Sequence, residues 1–206
     1  FNSPQLLQLS GVGRPDDIRQ HGIEMLHELP GVGQNLQDHL DFILSYKTRD
    51  RDNFGIGLTQ SITLFREALQ WRKDGTGMLA TPFAEGAAFL KTDPGLDRPD
   101  FQLHFVVGIV DDHSRKLHLG NGFSCHVCAL RPKSRGEVFL RSSNPLAAPG
   151  IDPRFLSDPD DLRVTMKATR ITRTLMATPP LAGYIHKELY IKSEPDDTQL
   201  EDHIRS

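Results

Sequence analysis

The chain has 206 residues, 37% of them hydrophobic, which is enough to bury one core and to define one main domain. Its 24 basic and 27 acidic side chains leave a net charge of -3, so it presents no basic field of the kind a phosphate backbone selects, and nucleic acid is not an expected partner. The longest apolar run, 105–110 with Gly108 inside it, is far shorter than the roughly 20 residues a transmembrane helix needs. Two cysteines cannot build a disulfide framework and no secretory leader opens the chain, so a reducing, cytoplasmic compartment is expected.

In chain order, Ser3 to Leu9 reads as a short helix with Leu6, Leu7 and Leu9 apolar, ended by Gly11-Val12-Gly13. A second helix opens at Pro15, whose ring suits the first helical position. Asp16 and Asp17 complement the positive end of its dipole, and Gly22 stands where a left-handed cap is wanted. Met25 to Leu29 is a short strand candidate before the turn at Pro30-Gly31, and Asp41 to Lys47 is strand-like. Leu58, Ile62, Phe65 and Leu69 then recur at helical spacing, predicting an amphipathic helix over 58–73 that Gly75 and Gly77 end. Strands are predicted at Gly86 to Lys91, Phe101 to Val107, Phe123 to Leu130 and Glu137 to Arg141, each bounded by proline or glycine.

The last long helix is predicted over 158–177. Asp158 caps it, Pro159 takes the first turn, Asp160 and Asp161 add negative charge there, and Val164, Ala168, Ile171 and Leu175 form the stripe to be buried before Pro179-Pro180. Strands without regularly alternating helices favour an α+β fold, an antiparallel β-sheet of about five or six strands flanked by helices, with 58–73 and 158–177 packed against it. Asp197 to Ser206 is an acidic-start helical pattern without a stop signal, and the chain opens on Phe1-Asn2-Ser3-Pro4, so both ends read as cut.

Three Gly-x-Gly triplets, at Gly11, Gly31 and Gly55, tempt a nucleotide reading. None continues to the third glycine a dinucleotide fingerprint requires, and they are expected to be turns. Cys125-His126-Val127-Cys128 resembles a redox or zinc half-site, but strand alternation points the two thiols to opposite faces and two further zinc ligands are missing, so inert strand cysteines and no metal are expected. Among the histidines, His113 and His118 flank a polar loop and are expected to be solvated, while His21, His27, His186 and His203 read as helix or strand surface. His39 closes a glycine turn. His104 sits mid-strand, sharing with Gln102 the face opposite Phe101, Leu103 and Phe105, and that face is either solvent or a polar pocket. A single imidazole without an identified partner does not make a site.

Five blocks carry more than spacing can. They are Asn2 to Gly13 (NSPQLLQLSGVG), Leu29 to His39 (LPGVGQNLQDH), Arg98 to Phe105 (RPDFQLHF), Arg131 to Gly136 (RPKSRG) and Ile151 to Pro159 (IDPRFLSDP). In this order they resemble segments of the glucose-methanol-choline oxidoreductase family, the first being its second signature with the opening residues clipped, and the likeness is greatest to its choline and aliphatic alcohol dehydrogenase branch.

The resemblance implies a two-part flavoenzyme. Residues 1–40 would be a connecting segment of the FAD-binding domain and 41–206 a substrate-binding domain of the FAD-linked reductase C-terminal type, truncated before the family's catalytic histidine motif. The parent enzyme would oxidise a primary alcohol, choline or an aliphatic one, to an aldehyde by hydride transfer to FAD. This piece alone would bind no cofactor and be inactive, its partners being the small alcohol and the missing FAD-binding domain, with a homodimer formed in isolation. His104 aligns with a histidine that holds the substrate oxygen, and Asp41 with a glutamate set against a trimethylammonium head, one methylene shorter here. Asn35, Asp38 and His39 would lie near the flavin. Asp41 also reads as a plain strand-start carboxylate, and a stand-alone binding or structural module without flavin is the alternative of another class.

Overall fold

The computed structural model describes residues 1–111, 116–191 and 193–206. In chain order its elements are α1 (Asn2–Leu9), β1 (Val12–Gly13), α2 (Pro15–Arg19), β2 (His27–Glu28), β3 (Gln34–Leu36), β4 (Asp41–Lys47), β5 (Gly55–Ile56) and α3 (Leu58–Asp74). A 3-10 turn (Met78–Ala80) leads to β6 (Ala84–Leu90), β7 (Phe101–Val106), β8 (Gly120–Ala129), β9 (Gly136–Phe139), β10 (Gly150–Asp152), α4 (Pro159–Met176), α5 (Pro179–Ala182), β11 (Lys187–Glu188) and α6 (Asp197–Arg205). Two compact units result, one from Phe1–Leu40 with Pro132–Asp161, the other from Asp41–Arg131 with Leu162–Ser206. No helix among the described residues is long and apolar enough to cross a membrane.

In the first unit β9 is the centre of a three-stranded antiparallel sheet, with β10 on one side and β3 on the other, and β1 pairs with β2 in parallel. Segment 132–161, which the sequence reading places with 41–206, joins 1–40 because Gln34 and Leu36 pair with Glu137 and Gly136 across that sheet. Helix α1 buries its polar side. Gln8 is 1% exposed and its amide donates to the carbonyls of Val138 (3.1 Å) and Val32 (3.4 Å), whereas Leu6 and Leu7 face out. Backbone approach is tight here: at Gly33 (φ +81°) a Cβ would stand 2.1 Å from the Val138 carbonyl oxygen, so only glycine fits. The start of α4 belongs to this unit as well. Asp158 accepts from the Asp160 N–H (2.9 Å) as a cap, and buried Asp161 accepts from the Lys133 N–H (2.7 Å), the Ser134 N–H (2.8 Å) and the Ser134 hydroxyl (2.5 Å).

The second unit is an antiparallel sheet of order β11-β4-β8-β7-β6, with β5 joined to β8. Cross-strand register sorts its side chains into two faces. Phe42, Val127 and Leu103 are aligned, as are Leu44, Cys125 and Phe105, and Tyr46 lies opposite Phe123. Tyr46 and Phe105 both stack on Phe123, at ring-centroid distances of 5.4 and 5.3 Å. Phe101, Phe123 and Val127 are fully buried in this apolar face, each worth about 1.5–3 kcal/mol in removed apolar surface. Helix α6 meets it where His203 stands edge-on to Phe42, with Leu200 and Ile204 buried. From α4, Arg173 reaches Glu188 of β11, the residue paired with Tyr46.

Four expectations change. The three glycine triplets are not all turns, since Val12–Gly13 and Gly55–Ile56 are two-residue strands. Helix α4 buries Leu162, Thr165, Ala168, Thr169, Thr172 and Met176, with Leu175 left outside, a stripe turned from the one the larger apolar residues marked. The threonines satisfy themselves, Thr169 and Thr172 donating at 2.8 Å to the carbonyls of Thr165 and Ala168, so small side chains can sit inward without an orphaned hydroxyl. Helix α3 forms over the predicted span and ends on left-handed Gly75, but none of its residues is buried, and Leu58 and Phe65 are 84% and 65% exposed. It is held by Gln60 on Asn121 (2.8 Å) and by the Glu67 carboxylate on the Met78 N–H (2.8 Å). Finally, His118 and His203, expected to be solvated or superficial, are packed among other groups, and His113 lies outside the described residues.

Candidate functional site

The second face of the larger sheet is mostly polar because the alternate positions of β4, β7 and β8 that point to it carry polar residues apart from Ile43 and Val106. Asp41, Cys128 and Gln102 form one row across the strands, Ile43, His126 and His104 the next, and Ser45, Ser124 and Val106 a third. Strand pairing therefore sets His104 directly opposite His126, and Asp41 one row away on β4. Nδ1 of His126 lies 2.5 Å from Oδ2 of Asp41, and the Cys128 thiol donates to Oδ1 of Asp41 at 3.3 Å. A carboxylate only accepts, so Nδ1 carries the proton in this contact. Nε2 of His126 is buried and has no hydrogen-bond partner among the described residues, although the Asp41 side chain is 38% exposed. At the far row Ser45 and Ser124 share a hydrogen bond (3.3 Å), and the Ser124 hydroxyl accepts from the Val110 N–H (3.1 Å).

The thiols are on opposite faces, as alternation requires. Burial, reinforced by the negative charge of Asp41, pushes Cys125 and Cys128 each up to about 12, so both stay protonated and unreactive at neutral pH. Of the expected site residues, the structure brings Asp41 and His104 to this one polar face. His126 joins them there: the sequence marks it only within the Cys-His-Val-Cys string and, by alternation, opposite the apolar face, whereas its contact with Asp41 depends on register between strands whose residues are 85 positions apart.

Asn35, Asp38 and His39 stand in the first unit. Asn35 takes a left-handed φ of 62° at the register shift between Gln34 and Leu36, a conformation asparagine tolerates better than most residues. The Asp38 carboxylate accepts the His39 backbone N–H at 2.8 Å. A further cluster in the second unit joins Asp111, His118 and Tyr190. Nε2 of His118 is 2.7 Å from Oδ2 of Asp111, and the Tyr190 hydroxyl donates to the same oxygen. Burial and Asp111 push Tyr190 up to about 12; burial alone would raise Asp111, but the bonds from Tyr190 and His118 prevail and hold it below the usual carboxylate value.

Residues 132–206 match the GMC oxidoreductase family. Over 192 residues, 91% of this chain and 34% of the relative, the sequence is 40% identical to the alcohol dehydrogenase [acceptor] of Pseudomonas putida. This chain belongs to the GMC oxidoreductase family. Its GMC character extends along its whole length: over 216 residues, 100% of the chain and 35% of the relative, it is 37% identical to the mitochondrial choline dehydrogenase of Mus musculus. The chain thus spans about a third of the curated GMC relatives it matches. Among solved structures it is similar to a formate oxidase of Aspergillus oryzae RIB40 studied for modification of its FAD, with TM-score 0.85 and 23% identity over 99% of this chain and 40% of that one, a likeness that shows the α+β fold.

Proposed function

We propose that this GMC chain forms the substrate-facing wall of an FAD-dependent oxidoreductase that oxidises a primary alcohol, choline or an aliphatic one, to its aldehyde. The observation that carries this reading is the polar sheet face on which His104 and His126 stand directly opposite each other, with Asp41 in the adjacent row. An alcohol releases its carbinol hydrogen once the hydroxyl proton is being withdrawn, so a wall that serves the reaction needs an imidazole for the oxygen and a polar surface to hold developing negative charge. His104 supplies the hydrogen bond to the substrate oxygen. Asp41 adds negative charge to the same wall, which favours an alcohol with a cationic head.

The chain's residues fit one side of such a site, since a buried imidazole nitrogen on this face lacks a partner among the described residues, but they include no completed glycine fingerprint for a dinucleotide. When bound, the flavin would supply the two-electron acceptor for the carbinol hydrogen, and Asn35, Asp38 and His39 are the residues of the first unit that would help to hold it. Its phosphate cradle and the principal base come from polypeptide outside these 206 residues, so the chain by itself neither retains FAD nor turns over alcohols.

The test is His104→Ala in the full-length protein, assayed with choline and with a linear primary alcohol. Turnover of both is expected to fall by ~10²-fold or more, while the flavin absorbance of the purified protein is unchanged. Unaltered turnover would remove His104 from the site, and a full-length protein that carries no flavin would end the reading as a whole.

A further inference from the structure

The buried Nε2 of His126 has no hydrogen-bond partner among the described residues, in a strand whose other polar side chains on that face are engaged: Ser124 with Ser45 and Val110, and Cys128 with Asp41. Buried polar groups in folded proteins are almost always paired, so an exception asks for a donor. The proton on Nδ1 is committed to Asp41, which makes Nε2 of the neutral ring an acceptor and fixes the tautomer. The residue directly across the strand pair is His104, and its ring has no hydrogen-bond partner among the described residues. Directly opposed residues on antiparallel strands have Cβ atoms about 4.5–5.5 Å apart, within reach of two imidazoles by side-chain rotation alone.

We propose that His126 is a positioning residue for His104: Asp41 holds Nδ1–H of His126, and Nε2 of His126 receives a ring N–H of His104, so that three adjacent strands fix the tautomer and orientation of the imidazole that faces the alcohol oxygen. The inference rests on the function proposed above for His104. It assigns a use to the short Asp41 side chain, which on β4 spans to β8, and to a histidine that no contact with substrate needs to explain. The remaining ring nitrogen of His104 is then left as an acceptor, the form suited to an alcohol O–H.

Nitrogen NMR of the 206-residue chain, labelled at histidine, reads the arrangement without flavin or substrate. The expected result is a protonated Nδ1 on His126 and a coupling across a hydrogen bond between Nε2 of His126 and a ring nitrogen of His104, lost in Asp41→Asn. A proton on Nε2 of His126, or no coupling to His104, overturns the proposal. In the flavin-loaded full-length protein, His126→Leu is expected to lower kcat by on the order of 10- to 100-fold with KM little changed, and His126→Gln, which keeps an acceptor, to recover part of it. An active parent whose kcat is untouched by His126→Leu sinks this inference alone, whereas an inactive, flavin-free parent sinks the function reading and leaves the NMR result to decide the hydrogen bonds.

Discussion

Cys125 and Cys128 show how one residue's chemistry is set by which side of a strand it takes. Cys125 lies between Leu44 and Phe105 on the apolar face, and Cys128 lies against a carboxylate on the polar one, yet both thiols are pushed to about 12 because burial and the Asp41 charge each disfavour a thiolate. Both should therefore resist thiol reagents while the chain is folded. With 5,5′-dithiobis(2-nitrobenzoic acid) at pH 8, the native chain is expected to react at least ~100-fold more slowly than the chain in guanidinium chloride, where two thiols titrate at once. Rapid labelling of either cysteine in the native state would contradict this burial. That the thiols diverge was legible from alternation alone. The partnership of His126 with Asp41 was not, because no local pattern says which residues 85 positions apart will come to lie in adjacent rows.

At the scale of elements, end signals were more readable than packing. Pro159 and the Asp158 cap mark the start of α4, and Gly75 ends α3 in the left-handed conformation, since caps and φ preferences are local properties. What covers a helix is not local. The stripe of α3 is amphipathic in sequence and uncovered in this chain, while α4 turns threonines inward because their hydroxyls bond back to its own carbonyls. Asp161 makes the same point: its charge suits the first turn of α4, but its larger task is to pin the Lys133-Ser134 backbone of the first unit. Asp161→Ala would orphan these buried donors and is expected to cost about 3 kcal/mol, read as a lower urea midpoint with little change in slope. A loss under about 0.5 kcal/mol would show that water replaces the carboxylate without penalty.

For the molecule as a whole, one response to pH runs through His203. Burial holds its imidazole below the usual value of 6.5, edge-on to Phe42 at 5.8 Å and tilted against Tyr190 at 6.1 Å, with Asp111 and His118 just beyond the tyrosine hydroxyl. A group with a depressed folded pKa contributes stability that is present above its unfolded pKa and lost as pH falls through the folded one. The urea midpoint is therefore expected to decline from pH 7 towards pH 5, and His203→Phe to flatten part of that decline. An identical slope in the variant would mean that His203 is solvated when folded.

The sequence by itself determined the family, the α+β class, the spans of the main strands and of the helices at 58 and 159, and the faces of β7 and β8, because periodicity, caps and family blocks are written in neighbouring residues. Tertiary structure alone decided the grouping of 132–161 with the first 40 residues, the uncovered face of α3, and the gathering of Asp41, His126 and His104 in adjacent rows of one sheet face. These depend on strand register and on which surfaces meet, and those are settled by the free energy of the whole chain rather than by any segment of it.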